Sequence, residues 1–364
     1  MVDTNAASFS VLSRIFGISG KKILRWYQGL SGFFQIETQK NLHKYDIKNI
    51  HKRDKTSSTK TPKRIETVVL KEENFGDHMT IDEKHMGGEF YTILANKITG
   101  KIAVMVKTVN YKLLEKIFSK VSVKVRYGVK TISKDCSSTF DLLSRTMFLN
   151  AQRIADKFHI LCVGLEALQD IRIRYKQEVL TEERVRRELH KEQQAQLRDS
   201  SRRNKIEFQP APLPKPVRFQ NGETKKEILA RGRYLLYKFK DKWSEDQQKR
   251  AKILFKEFPE LERAYKLICN FRSFYNIKPD NNRKKAAIVL EKWFHKVGDE
   301  DISEIQNFAS SVQFHRAEIL NYFNEGHTNA FAESLNAKLQ RFVINNYGIH
   351  NRDFFHFRVN KIFA

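Results

Sequence analysis

Three carboxylates have the type and setting for phosphoryl-transfer chemistry. Asp82 follows an alternating apolar run in MTIDEKH, Asp135 closes VKTISKD, and Glu333 sits in NAFAESLNAKLQRF. Side chains alternate along a strand, so Asp82 and Glu83 face opposite ways and cannot share one site. Asp82 reads as the end of a first strand and Asp135 as the end of a fourth. The two lie side by side if those strands pair in parallel. Two carboxylates at close range repel and raise each other's pKa unless a cation lies between them. Mg2+ prefers oxygen ligands, as a rule one or two carboxylates together with substrate phosphates. A third carboxylate on a rigid frame allows two ions about 4 Å apart, the arrangement suited to in-line displacement at phosphorus. Taken singly, an aspartate at a strand end is most often a turn or cap residue.

The weight therefore rests on the elements that position these acids. Glu333 belongs to a helical pattern. At about 3.6 residues per turn, Asn329, Glu333, Asn336 and Gln340 fall on one side, and Phe331, Leu335, Leu339 and Phe342 on the other. Asn329, Asn336, Gln340 and Arg341 near Glu333 either touch phosphates or hydrogen-bond within the protein. Upstream, HMTIDEKH, EFYTILANKITG and KIAVMVKTVN are three β-rich runs separated by Gly or Asn turns, and they read as antiparallel strands. A helix, YKLLEKIFSKV, follows. Then come the strand VKTISKD, the helix SSTFDLLSRTMF capped by Ser137 or Ser138, and the strand QRIADKFH. A long amphipathic helix starts near Ile160. The order is β-β-β-α-β-α-β-α.

Composition narrows the partner. The chain has 364 residues, 67 Lys and Arg against 42 Asp and Glu, and a formal charge of +25. A small-molecule enzyme has no need of that excess; a polyanion does, nucleic acid first and an anionic membrane second. No apolar run of membrane-spanning length is present, and no signal-peptide pattern opens the chain. The three cysteines, Cys136, Cys162 and Cys269, are far apart and outside any CxxC, which argues against a disulfide framework or a cysteine zinc site and suits a reducing cytoplasm.

The N-terminal stretch, residues 1–39, has helical apolar spacing on both sides of FGISG, with Lys21, Lys22 and Arg25 on the second helix. It reads as a helix-turn-helix contacting DNA or as an ordinary helical hairpin. Residues 40–77 form a basic linker rich in Lys and Arg, Lys52 and Arg53 among them. That stretch is either an arm along a phosphate backbone or a solvated linker. After residue 175 the chain becomes nearly all polar and charged: an exposed helix or a solvated coil. A proline-rich break, PAPLPKP, and several helices with aromatic anchors follow, so residues 176–325 read as an all-α insertion with its own core. Trp243 and Trp293 read as anchors of that core, with base stacking on nucleic acid as the alternative.

Taken in order, TIDEKHMGGEFYTILANKITGK, TISKDCSSTFDLLSRTMFLNAQRIADKFHILCVGLEALQDIRIRY, RGRYLLYKFKDKWSEDQQKRAKILF, NEGHTNAFAESLNAKLQRF and YGIHNRDFFHFRV closely resemble the DDE transposases of bacterial insertion sequences, in the ISL-three group. The likeness runs nearly continuously from 78 to 364. It implies an α/β, RNase H-like mixed sheet. The first part of that core is 78–175, the insertion is 176–325, and the closing helix and tail are 326–364. It implies cleavage at transposon ends and joining to target DNA with two Mg2+ or Mn2+ ions. By motif, Asp82 is the first acid, Asp135 the second and Glu333 the third, catalytic and metal-binding alike. Cys136 stands where the family often has Met.

The same resemblance gives DKFH the place of an Asp-x-x-His element, with Asp156 structural or in support of the site, direct metal ligation being its alternative, and His159 a hydrogen-bonded packing residue rather than a ligand. His85, beside the first acid, reads as a loop residue. The implied partners are double-stranded DNA (terminal inverted repeats and target) and a second copy of the chain in a homodimer or larger synaptic assembly. Many relatives carry a cysteine-rich zinc element ahead of the core, absent from this sequence, which leaves room for a separately encoded N-terminal DNA-binding partner. The implied place is the bacterial cytoplasm. Two rivals remain: an RNase H-like nuclease without strand transfer, and a domesticated or partial transposase that only binds DNA.

Overall fold

The computed structural model describes residues 9–27, 67–213, 215–325, 330–345 and 351–364, together with Gly29 and Ile349. The chain forms two compact units, 1–157 with 317–364, and 158–316.

The first unit is built on a six-stranded mixed sheet in the order β1-β4-β3-β2-β5-β6. The strands are β1 (Thr67–Leu70), β2 (His78–Met86), β3 (Glu89–Asn96), β4 (Ile102–Val106), β5 (Thr131–Lys134) and β6 (Gln152–Ala155). Strands β2, β3 and β4 form an antiparallel meander. The β2–β3 hairpin closes through Gly87 and Gly88 at φ of 58° and 79°, the left-handed pair that a two-residue turn requires. Strand β5 pairs in parallel with both β2 and β6.

Helices cover both faces of this sheet, as an α/β layering demands of a sheet with parallel pairs. Helices α2 (Tyr111–Phe118), α3 (Val123–Tyr127) and α4 (Ser138–Met147) join β4 to β6. Leu114, Ile117 and Phe118 of α2 and Phe140, Leu143 and Met147 of α4 pack on Met79, Ile81, Leu94 and Ile132 of one face. Leu335, Leu339 and Phe342 of α13 (Ala330–Asn345) and Phe355 and Val359 of α14 (Arg352–Phe363) pack on Tyr91, Ile93, Ala95 and Met105 of the other. The N-terminal helix α1 (Phe9–Phe16) and a second helical stretch, 20–27, flank Gly17 at φ 65°. That stretch ends at buried Tyr27, whose ring lies 5.5 Å from Phe354 and 5.4 Å from Phe357 of α14.

The second unit is helical: α5 (Lys157–Asn204, entering from the first unit), α6 (Lys225–Arg231), α7 (Arg233–Leu236), α8 (Glu245–Glu257), α9 (Pro259–Phe274), α10 (Arg283–Gly298) and α11 (Ser303–Phe314). Trp243 and Trp293 are buried, and each indole N–H donates to a backbone carbonyl, Leu235 at 3.0 Å and Leu267 at 2.9 Å. They are core anchors, as their spacing suggests. Helix α12 (Arg316–Glu325) leads back into the first unit.

Several details differ from the sequence reading. Asp82 is the fifth of nine residues in β2 and does not end it. What stops beside Asp82 is the pairing with β5. His85 is a strand residue, its ring 4.8 Å from that of Phe90. Residues 67–70, assigned to the basic linker, are a sheet strand paired with β4, and so there are four strands before the first crossover helix. The β-branched, apolar TVVL has the chemistry of a strand, but the basic run before it masked the change. Helix α3 is also additional. Strand β6 stops at Ala155, and α5 starts at Lys157, three residues earlier than expected. It then continues through the polar stretch to Asn204 as one 48-residue helix. The ion pairs Arg184–Glu188 (3.1 Å) and Arg187–Glu183 (3.7 Å), four residues apart, support that exposed half.

Candidate active site

The parallel register decides what meets at the strand ends. His78, Met79 and Thr80 of β2 stand opposite Thr131, Ile132 and Ser133 of β5. Two residues beyond Thr80 and Ser133 come Asp82, inside β2, and Asp135, just past the end of β5; extending the register aligns them on the same face, because side chains repeat every second residue. Strand β5 is also in register with β6, Lys134 opposite Ala155, and the Asp156 amide donates to the Lys134 carbonyl at 2.8 Å. The next positions are Asp135 and Asp156. Three aspartates thus follow one another across adjacent strands, on the face that α13 and α14 cover.

Each acid is held locally. The Glu83 amide donates to Asp82 Oδ1 at 2.8 Å. Asp135 is buried, and its Oδ1 accepts from the Ser137 amide at 2.9 Å. Ser137 is also the N-cap of α4, its hydroxyl accepting from the Phe140 amide. Asp135 therefore sits at a helix N-terminus, where a negative charge is favoured. Asp156 is buried. Cys136 is half-buried, and burial pushes its thiol up to about 12, so it stays protonated and a poor nucleophile at neutral pH.

Helix α13 lies over this face by its apolar stripe. Leu335, Leu339 and Phe342 are buried, while Glu333, Gln340 and Arg341 are exposed. One hydrogen bond ties its polar side to the sheet: Asn336 Nδ2 donates to Asp82 Oδ2 at 2.6 Å. Glu333 is three residues before Asn336, hence on the neighbouring turn of the same helix face. Phe331 packs over the β3–β4 turn, where a Cβ built on Gly100 would lie 3.6 Å from its ring.

The opposite face of the β5 end is charged and buried. Lys134 is fully enclosed, its Nζ 2.8 Å from Glu318 Oε2 of α12 and 3.2 Å from Asp141 Oδ1 of α4. Arg153 Nε reaches Glu318 Oε1 at 3.3 Å. No local motif announces this network. Its members come from four separate parts of the chain.

Among the described residues, no three His, Cys, Asp or Glu side chains gather closely enough to hold one ion together. Asp82 and Asp135 are brought side by side, and Asn336 is brought to Asp82. His159 lies on the first turn of α5, its ring 6.2 Å from that of Phe158. Lys21, Lys22 and Arg25 lie on the stretch 20–27, with the Lys22 ammonium 5.0 Å from the Trp26 ring centre. Lys52, Arg53 and Asn329 lie outside the described residues. No described helix is long and apolar enough to cross a membrane.

Neither the curated proteins nor the solved structures contain a match to this chain. The family model for DDE transposases of the ISL-three group, whose description reads "transposase", matches residues 77–359. That span holds the whole sheet except β1, all three acids and both ends of α13, and so the chain belongs to the DDE transposase family of the ISL-three group.

Proposed function

We propose that the chain cuts DNA at the ends of an insertion sequence and joins the freed ends to target DNA. Asp82, Asp135 and Glu333 are its acid set, on an RNase H-like core interrupted by the helices between β6 and α13. The observation that carries this reading is the β2–β5 register, which sets Asp82 beside Asp135. The Asn336–Asp82 hydrogen bond supports Glu333 as the third acid, because it pins the helix face that bears it.

The donor set suits a hard divalent ion. It consists of carboxylate oxygens, and two of them on adjacent strands match the one or two that Mg2+ takes alongside substrate phosphates. Bound there, two Mg2+ or Mn2+ ions would supply Lewis-acid stabilisation of the phosphate and a lowered pKa for the attacking water. Asp82 and Asp135 would hold the ions, and the Glu83 and Ser137 amides, each donating to one carboxylate oxygen, orient these two acids. Glu333, exposed on α13, closes the site from the helix side. Asp156 supports it from the end of β6, and His159 is structural at the start of α5. The DNA phosphates are met by basic and amide side chains, with Lys21, Lys22, Arg25, Lys52, Arg53, Asn329, Gln340 and Arg341 as candidates. Holding two transposon ends at once calls for a second copy of the chain.

The test is cleavage of labelled DNA carrying the element's terminal inverted repeat, with Mg2+ or Mn2+. Nicking at the repeat boundary is expected, followed by joining of a pre-cut end to a plasmid. Binding should fall steeply with salt, by about 0.9 in log K per log salt for each phosphate neutralised. Binding without metal-dependent nicking would overturn the reading. Within the site, Asn336→Leu removes the donor to Asp82 while keeping the side chain's bulk. Losing a group that orients a ligand typically costs about 10- to 100-fold in metal affinity or activity. That loss is the expected result, with an unchanged melting temperature, read from a Mn2+ titration of cleavage.

A further inference from the structure

Lys97 is a cation placed on the acid face. It follows β3, and its amide donates to the His78 carbonyl at 2.9 Å, in continuation of the β3–β2 ladder. Alternation then sends its side chain to the face that carries Thr80, Asp82, Ser133 and Asp135. There its ammonium donates to the Ser133 hydroxyl. Ser133 is fully buried and precedes Asp135 by two residues, about 6–7 Å along a strand. Burial lowers the lysine's pKa to about 8 while Asp156 opposes the fall, and so Lys97 keeps its proton at neutral pH. The turn that begins at Lys97 also ends at Gly100, beneath Phe331 of the helix bearing Glu333.

We infer that Lys97 is a positioning residue for the acid site: its ammonium, bonded to the Ser133 hydroxyl, fixes the end of β5 that presents Asp135. The inference rests on the reading of Asp82, Asp135 and Glu333 as the metal-binding acids. It goes beyond that reading by giving the site a resident cation on its own face. Two effects of Lys97 would move metal binding in opposite directions. A positive charge near the acids repels a divalent ion, so its removal alone would tighten binding. A positioning group lost from the site would loosen it. Positioning is the larger effect here, because Lys97 meets Ser133 directly and the metal-binding oxygens only through the strand.

The experiment compares wild type, Lys97→Met, Lys97→Arg and Ser133→Ala. Each is titrated with Mn2+ while thermal melting is followed, and each is assayed for cleavage of terminal-repeat DNA. Lys97→Met is expected to need about 10-fold or more Mn2+ for half of the metal-induced rise in melting temperature and for half-maximal cleavage. Lys97→Arg restores both to within about threefold, and Ser133→Ala moves them in the same direction as Lys97→Met by a smaller factor. A Lys97→Met chain with wild-type or tighter Mn2+ response overturns the inference. If Lys97→Met does not fold, a wild-type response in Ser133→Ala overturns it. A wild type whose Mn2+ response is the same in Asp82→Asn defeats the reading of the site itself, and the inference with it.

Discussion

Glu333→Ala is expected to abolish cleavage, by at least about a thousandfold, while DNA binding stays within about twofold. The contrast follows from where the side chain sits. Glu333 is exposed on the polar side of α13, three residues from the asparagine that bonds Asp82, and the helix is anchored by Leu335, Leu339 and Phe342 on its other side. Removing an exposed carboxylate from a helix and leaving the best helix former in its place changes stability by about 0.5 kcal/mol at most. Loss of activity in this variant therefore cannot be blamed on unfolding. A ligand to a catalytic divalent ion contributes several kcal/mol to transition-state stabilisation, and each 1.4 kcal/mol is tenfold in rate. Asp82→Ala and Asp135→Ala should show the same loss, and both relieve repulsion between neighbouring carboxylates in the metal-free protein. Asp135→Ala also removes the acceptor of the Ser137 amide, so its melting temperature should fall where that of Glu333→Ala does not. Cleavage assays beside filter binding and thermal melting separate these outcomes. Full activity in Glu333→Ala would mean that another acid completes the site.

The parts of this arrangement visible in the sequence are those set by local rules. The Gly87–Gly88 hairpin, the Ser137 cap before α4 and the two-sided pattern of α13 each depend on residues within a few positions of one another, and each is found where the pattern puts it. The motif order around Asp82, Asp135 and Glu333 carries the family, which the match over 77–359 bears out. Where sequence and structure part, the competing influence is non-local. Strand β1 exists because β4 offers it an edge, and nothing in the basic stretch before it signals that edge. Asp82 lies inside β2 because β3 pairs with it as far as Met86, whereas an apolar run read alone stops at Ile81. The Asn336–Asp82 bond spans 254 positions, and only the packing of α13 on the sheet creates it. Lys97 is one of 67 basic residues, and its chemistry comes from what the register places around it.

The largest stability effect should come from Glu318→Leu. Lys134 is fully buried with its ammonium 2.8 Å from Glu318. The residue after it, Asp135, points to the opposite face. Deleting the glutamate leaves the lysine enclosed with Asp141 at 3.2 Å as its remaining carboxylate and takes from Arg153 its own partner. An uncompensated buried charge costs about 3–5 kcal/mol, and with Asp141 still beside the ammonium the loss is expected at the lower end of that range. In a unit of this size that lowers the melting temperature by roughly 10 °C. The double variant Lys134→Met, Glu318→Leu removes both charges and fills the space with apolar atoms. Such replacements are often neutral or stabilising, so most of the lost melting temperature should return. Cleavage by that double variant then separates two roles for the pair. If activity returns with stability, Lys134 and Glu318 serve only to fix the end of β5. If the protein is stable yet slow, the charges themselves shape the field at Asp135, one residue away on the other face of the strand. The first outcome is expected, because the pair neutralises itself at hydrogen-bond distance and leaves little net field to act across the sheet.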